Sequence, residues 1–578
     1  MTKSIFTNPP SYRDGVTRTN PDPFLVNYFG TYYCYSTAEA GVNVSISTDM
    51  VTWEYKGFCF QEPGRSSYWA PCVIYRNGLF YMYVSDRPEG TEDPHLQRMR
   101  VATSNSPTGP FTFRKQLADF FAIDADVVTG DDGKMVMFYA SNELTAESCD
   151  KTGTSVVVDT MADPFTLEGN PKPVILPSID EEIFERDRFH DGQDWYTIEG
   201  STYFRSGAYA FQTYSGNAYE NPDYFIGLAA AEATPTIYDL EWAKVPSESQ
   251  YAPLIRKNEY VEGTGHNSIV RGPNLIDLWI NYHGRDCSEP RMRGAEQRKL
   301  YLDRLFEAED KILCAGPTAF PERVPEKPTF SGNGCGSAFS DYTLAKDLRS
   351  FESEFYMRAE VKDANMSTVY DFKLVCNSGS ETHFAVNPSG VHSYDSDSQS
   401  FIPFPMPTDL QAWQPWRISR STRGLDLSLG EVTIAHLEND HSVPCLLSVS
   451  TDADAELGYW RVTTYEEADR AVLEQRGFLN DPGDDSATLK IPLQDCSRIE
   501  LIFSSEAKPN ITVRGETASE NCFICRGHTV WSGVVLGDEA ESMQIVGELD
   551  NLLKCRITNI PIENPKGYYS KGVSSENS

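Results

Sequence analysis

Short runs in which Val, Ile, Tyr, Phe and Trp alternate with polar residues, each closed by Gly, Pro, Asn or Asp, follow one another along most of the chain. Apolar residues at the spacing of a long amphipathic helix are scarce, so the pattern predicts an all-β protein. In the first half the pattern repeats. A tight turn leading into an aromatic strand occurs as "FGTYYCYST" (29–37), "NGLFYMYVS" (77–85), "DGKMVMFYAS" (132–141), "SGAYAFQTYS" (206–215) and "GPNLIDLWINYH" (272–283). These five copies lie roughly 50 to 70 residues apart. Several are followed by a further strand and a polar turn with an aromatic, as in "VNVSISTDMVTWEY" (42–55), "RVATSNSPTGPFTF" (100–113) and "FIGLAAAEATPTIYDLEW" (225–242). Each unit is long enough for a four-stranded antiparallel blade, and blades closed into a ring avoid long exposed edges. A long β-sandwich gives similar strands but not so long a period. The expectation is a five-bladed β-propeller over residues 1–315.

The stretch "CAGPTAFPERVPEKPTFSGNGCGSAFSDY" (314–342) is rich in Pro and Gly, and residues 316–340 read as a linker. Antiparallel alternation returns over 341–578 in "FESEFYMRAEV", "VYDFKLVCN", "HFAVNPSGVHSYD" and "WRISRS". "LDLSLGEVTIAHLE" reads as two strands about a tight turn, so a C-terminal β-sandwich is expected. It is subdivided or merely bent near "RGFLNDPGDDSA" (476–487). The tail "NPKGYYSKGVSSENS" has a disordered composition. Such a sandwich could bind carbohydrate, lend a loop to the pocket, or buttress the first domain; buttressing is the default.

Charge narrows the partners. A net charge of −34 over 578 residues repels nucleic acid and anionic membranes, and suits a protein acting on a small neutral ligand. No apolar run reaches the length of a membrane-spanning helix. The start, "MTKSIFTNPPSYRDG", lacks the apolar core of a secretory signal, which with the initiating Met gives the expectation of a cytoplasmic protein. Nothing in the pattern sets an oligomeric state. The thirteen cysteines are scattered, and Cys34, Cys59, Cys72 and Cys376 fall in strand-like apolar runs where free thiols pack as small hydrophobes. The close pair in "CFIC" (522–525) has no second pair or histidines nearby, so zinc is disfavoured and reduced thiols are expected.

Acids at the mouths of strands supply the candidate chemistry. Asp22 stands between prolines in "NPDPF", Asp124 and Asp126 lie in "FFAIDADVVTGDDG", and Glu199 lies in "DWYTIEGSTYF". The innermost strands of a propeller converge on its axis, so acids from different blades would share one polar centre. Cleaving a glycosidic bond takes two carboxyl groups of opposite protonation, and a third can raise the donor's pKa. Asp22, Asp124 and Glu199 would form that set, with the longer Glu as proton donor and the prolines steadying Asp22. The bland alternative for each acid is a turn residue bonding its own backbone. The residues alone leave the two readings level.

With these residues in view, the first half resembles glycoside hydrolase family 43. The segments that carry the likeness are "NPDPFLVNYFGTYYCYST", "YWAPCVIYRNGLFYMYVS", "AIDADVVTGDDGKMVMFYAS", "IEGSTYFRSGAYAFQTYS" and "GTGHNSIV", followed by "WINYHGRD" and "RKLYLDRLF". The resemblance implies a five-bladed propeller that cleaves arabinose- or xylose-containing saccharides with inversion. By position Asp22 is then the general base, Asp124 the acid that tunes pKa and orientation, and Glu199 the general acid, with Asp126 structural. Trp69 corresponds to an apolar wall for the sugar (its alternative being a core residue between blades). Arg298 corresponds to an arginine reaching towards the sugar, against an ordinary surface salt bridge. His266 corresponds to a histidine near the axis that in many members touches a structural calcium ion, although a lone histidine is more often a core residue. No organic cofactor is implied. Two departures touch the pocket: Cys72 stands where the family often has an acid, and 175–197 is long, acidic and aromatic. "NPDPF" and "IEG" also differ from the "NDPN" and "EC" signatures of fructan-cleaving relatives. The expected activity is exo-acting release of a pentose, first α-L-arabinofuranose, from neutral oligosaccharides. β-Xylosidase is the nearest alternative. A carbohydrate-binding propeller without catalysis is the alternative from another class, and the presence of all three acids argues against it.

Overall fold

Each of the five aromatic repeats is the second strand of an antiparallel sheet, and its turn explains why. Phe29 and Gly30 (φ 52° and 71°) and Asn77 and Gly78 (φ 48° and 84°) are left-handed pairs, the geometry that joins twisted strands through two residues. The computed structural model describes residues 5–559, except 293, 309, 335–340, 396–397, 439–442, 452, 469, 476–478, 481–485, 490–495, 507–508, 514–515, 518–521, 537–543 and 547–548. The tail 564–578 and most of the suggested break at 476–487 therefore lie outside the described residues. The protein is all-β, and among the described residues no helix is long and apolar enough to cross a membrane.

The sheets of the first half begin with strands Phe24–Tyr28, Arg65–Arg76, Ile123–Thr129, Trp195–Ser206 and Val261–Arg271. The third and fourth units are joined into one larger sheet by a short parallel pairing of Thr152–Thr154 with Trp195–Thr197. The five first strands neighbour one another in order, and the fifth lies against the first. Five apolar clusters fill the gaps between units. The one that closes the ring packs Leu25, Tyr32 and Trp53 against Trp279, Leu300 and Leu302. Asn8 clasps this seam, its side chain donating to the Leu302 carbonyl at 2.8 Å and accepting from the Leu302 amide at 3.0 Å. Cys34, Cys59, Cys72 and Cys376 are all buried.

Beyond the ring, a sheet of ten strands and one of six enclose a large apolar cluster that includes Phe355, Phe372 and Trp416. The stretch read as a linker is partly structured. Glu322–Arg323 pairs with Ile5–Phe6, Phe330–Asn333 pairs with Asp454–Ala468, and Thr318 and Glu326 are buried. The two halves meet through buried charge. Arg498, from the second half, donates two hydrogen bonds of 2.7 Å to Asp277 of the fifth unit, which also pairs with Arg304 at 2.7 Å. Removing one partner of such a network strands the others in an apolar setting. Asp277→Ala is expected to lower stability by about 3–5 kcal/mol, read as a shifted denaturant midpoint. An unchanged midpoint would show that this junction does not hold the halves together.

Candidate active site

A regular strand sends alternate side chains to opposite faces, so aiming several at one axis requires breaks in the alternation. The structure has such breaks in the first strands. Register shifts fall beside Trp69, between Ile123 and Asp126, between Glu199 and Thr202, and on either side of Gly265, the second spanning His266. Asp22, Ala70, Asp124 and His266 have φ of 53°, 46°, 60° and 39°, an unusual conformation for residues other than glycine. This corrects the placement expected from sequence. Asp22 does precede its strand, whereas Asp124 and Glu199 sit inside theirs, at the bulges. Gly200 (φ 55°) allows the closest approach, since a Cβ there would lie 2.9 Å from the His266 ring.

Asp22 is the most heavily bonded of the acids. Thr37 Oγ1 donates to its Oδ2 at 2.6 Å, and Arg298 Nη1 donates to its Oδ1 at 3.1 Å. Its own amide donates to His283 Nδ1 at 3.2 Å, and the same nitrogen stands 3.3 Å from Asp22 Oδ1. Arg298 is in turn gripped on two sides by Glu296, at 2.9 and 2.8 Å, and lies over the Tyr219 ring at 4.7 Å. Asp124 Oδ2 accepts from the Gly200 amide at 3.1 Å. Glu199 Oε1 accepts from Tyr224 Oη at 2.8 Å. His266 Nδ1 stands 3.5 Å from Asp22 and 3.8 Å from Asp124.

These surroundings drive the acids apart. Burial pushes the Asp22 carboxyl upward, but the Arg298 charge, with His266 and His283, overcomes it and holds the group well below the usual carboxylate range. Asp124 is pushed well above that range by burial, then by the charges of Glu199 and Asp22. Glu199 is raised to about 7, by burial against the lowering Tyr224 hydrogen bond and with help from Asp22. Burial brings His283 down to about 4 and also lowers His266. In mildly acidic solution the site thus holds an ionised Asp22 beside protonated Asp124 and Glu199 carboxyl groups. Asp126 accepts from the Tyr203 amide at 2.7 Å and does not line the cleft.

The three acids open into a cleft of about 1040 Å³, its mouth included, whose lining also holds Thr37, Trp69, Tyr224, His266 and Arg298. Trp69 is half-buried and forms cleft wall. Cys72 is fully buried among Tyr83, Val127 and their neighbours, so that departure leaves the wall untouched. The segment 175–197 does reach the cleft, through Phe184, Arg188 and Trp195. Thr37, Tyr224, His283 and Glu296 escaped the sequence reading. Glu296, two residues before Arg298, carried a signal in the same-face spacing of an extended chain. Tyr224 and His283 carried none, because only folding brings them to the acids. Among the described residues no group of three or more His, Cys, Asp or Glu is arranged to hold a metal ion.

One carboxyl held low beside another raised, in one cleft, is the pairing that cleavage of a glycosidic bond requires. The sequence comparison is specific: residues 13–311 match the model of glycosyl hydrolases family 43, and the chain belongs to that family. It is 25% identical over 233 residues to an extracellular exo-α-(1→5)-L-arabinofuranosidase of Streptomyces avermitilis, covering 38% of this chain and 43% of that protein. It is 28% identical over 210 residues to a β-xylosidase of Bacillus subtilis, covering 33% of this chain and 38% of that protein. The chain thus spans less than half the length of each of these two curated relatives. A solved thermostable family-43 glycoside hydrolase is 28% identical, with a TM-score of 0.46 over 56% of this chain and 99% of that one.

Proposed function

We propose that this cleft releases a terminal pentose from oligosaccharides by hydrolysis with inversion, α-L-arabinofuranose first and β-xylose second. What carries the reading is Asp22 and Glu199 facing one cleft in opposite settings, Asp22 against the Arg298 charge and Glu199 buried against Tyr224. Glu199 gives its proton to the glycosidic oxygen as the bond to the anomeric carbon breaks. Asp22 takes a proton from the water that attacks the opposite face. The products are the free pentose and the shortened saccharide, and the proton gained by Asp22 returns through solvent to Glu199. Asp124, through the Gly200 amide, fixes the strand that carries the donor, while burial and the Asp22 charge raise the donor's proton affinity. Trp69 walls the sugar, and Arg298 keeps Asp22 ionised while facing the same space. Arabinose stands first because the Streptomyces relative is named for it; the Bacillus relative's name keeps xylose second.

The five units whose first strands close on themselves support a five-bladed propeller at 1–315, and the two sheets about one core support a sandwich within 341–578. The junction through Asp277 and Arg498 favours buttressing as the sandwich's role. A structural calcium ion fits the axis through oxygen donors. Ser201 Oγ and Asn267 Oδ1, which have no hydrogen-bond partner among the described residues, border a small cavity there together with Asp22 and Asp124. Such an ion would hold the axis together and take no part in the steps above.

A panel of p-nitrophenyl glycosides tests the sugar, and the anomer first seen by NMR tests inversion. Turnover of hexosides but not pentosides, or a retained anomer, would overturn the reading. The pH profile is a further test. Glu199 must be protonated to act, so kcat/KM on an unactivated substrate should fall as pH rises through about 7. Asp22, held low, should cause no loss in mildly acidic solution. Activity that stays flat well above neutrality would remove Glu199 as donor.

A further inference from the structure

One corner of the cleft plays no part in the hydrolytic scheme. Arg188, in the segment 175–197, lines the cleft beside Phe184 and Trp195. Its guanidinium carbon lies 4.8 Å from the Phe184 ring centre, 5.1 Å from that of Trp195 and 5.5 Å from that of Phe189. Three rings therefore hold the side chain in place. The loop beneath it is tied internally. Asp187 Oδ1 accepts from the Gly192 amide at 2.7 Å, Asp194 Oδ1 accepts from the Asp187 amide at 3.0 Å, and Arg186 pairs with Asp194 at 2.9 Å.

The donors of Arg188 are nevertheless unspent. Among the described residues nothing accepts a hydrogen bond from its guanidinium, and its ion pair is a loose 3.8 Å contact with the exposed Glu185. The cleft's other arginine, Arg298, is fully engaged by Asp22 and Glu296. This cationic fork is thus held by rings, with the exposed Glu185 at 3.8 Å as its ion-pair partner among the described residues and no hydrogen bond donated by it. A stacked guanidinium presents its N–H edge, and the group that matches this edge with two parallel bonds is a carboxylate. The neighbouring rings of Trp195 and Phe121 offer the apolar surface on which a sugar face packs.

We infer that this corner is a leaving-group subsite for a uronic acid, so that the preferred substrate carries its pentose on an acidic saccharide. The inference rests on the glycosidase reading above and narrows its substrate class. The released sugar stays neutral, and the carboxylate lies on the part that departs.

Two arms test it. In the first, matched oligosaccharides with the same pentose linkage, one bearing a uronic acid and one its methyl ester, are compared by kcat/KM. The acid should be preferred by roughly 10- to 100-fold, the value of a charged hydrogen-bonded pair. The ratio should fall close to one in Arg188→Gln and lie between in Arg188→Lys, which keeps the charge but not the fork. Because the ratio is taken within each variant, a general loss of activity cancels, and a thermal midpoint checks folding. In the second, calorimetry with free glucuronic and galacturonic acids should show saturable binding that weakens with salt, vanishes in Arg188→Gln and is absent for the methyl esters. Equal kcat/KM for acid and ester in the unmodified enzyme, or a ratio that Arg188→Gln leaves unchanged, overturns the inference while the glycosidase reading stands. Failure to release pentose from any substrate, with uronate binding intact, would sink the glycosidase reading and leave the subsite.

Discussion

Glu199→Ala should lower kcat on an unactivated saccharide by roughly 10²–10⁴-fold, the usual contribution of a positioned proton donor. Release from a p-nitrophenyl glycoside should fall far less, because nitrophenolate departs with little protonation. The contrast between substrates carries the test, since a merely structural residue would depress both alike. A second readout is independent of activity. The Glu199 carboxyl rises from an ordinary 4.5 to about 7 in the folded chain, so its protonated form favours folding. That contribution is fully present below the unfolded value and is lost as pH rises through the folded one. Glu199→Gln, which imitates the protonated acid, should therefore have a higher thermal midpoint than the parent above neutral pH and a similar one near pH 4. Equal slight losses on both substrates, with no gain in alkaline stability, would take the donor role away from Glu199.

Asp22→Asn should reduce turnover of activated and unactivated substrates by the same factor, again roughly 10²–10⁴-fold. Water must be deprotonated whichever group leaves, so the base cannot be bypassed by a better leaving group. Thr37 and Arg298 donate to different Asp22 oxygens, so the single amide oxygen keeps one of the two bonds, while Glu296 still neutralises Arg298; a thermal midpoint checks that the fold survives. The change also removes a negative charge that helps raise both Glu199 and Asp124. Residual activity in Asp22→Asn should accordingly lose its alkaline limb at lower pH than the parent. A variant that cleaves the p-nitrophenyl substrate normally but fails on the unactivated one would reverse the roles of the two acids.

The repeats were legible because their causes are local. Alternation along "TYYCYS" or "LFYMYVS" specifies a strand with one buried face, and Phe29–Gly30 and Asn77–Gly78 specify the turns. The acids could be nominated for the same reason: a carboxyl amid apolar residues is conspicuous in a linear reading. Their exact setting was not legible. Asp124 and Glu199 were expected at strand entries and stand at bulges, because a bulge comes from how a strand meets its neighbours. The linker shows the same limit, since its Pro and Gly content gave no sign that Thr318 and Glu326 are buried.

By itself, then, the sequence determined that the chain is built from short antiparallel strands, where its repeating hairpins lie, and which acids deserved suspicion. The tertiary structure alone decided what those acids are. Asp22 is held low because Arg298 arrives from 276 residues away, and Glu199 is raised because the same folding buries it beside Asp22. Alternation and turn preference act between neighbours in the chain. Proton affinity depends on distances through space, and those exist only once the ring has closed.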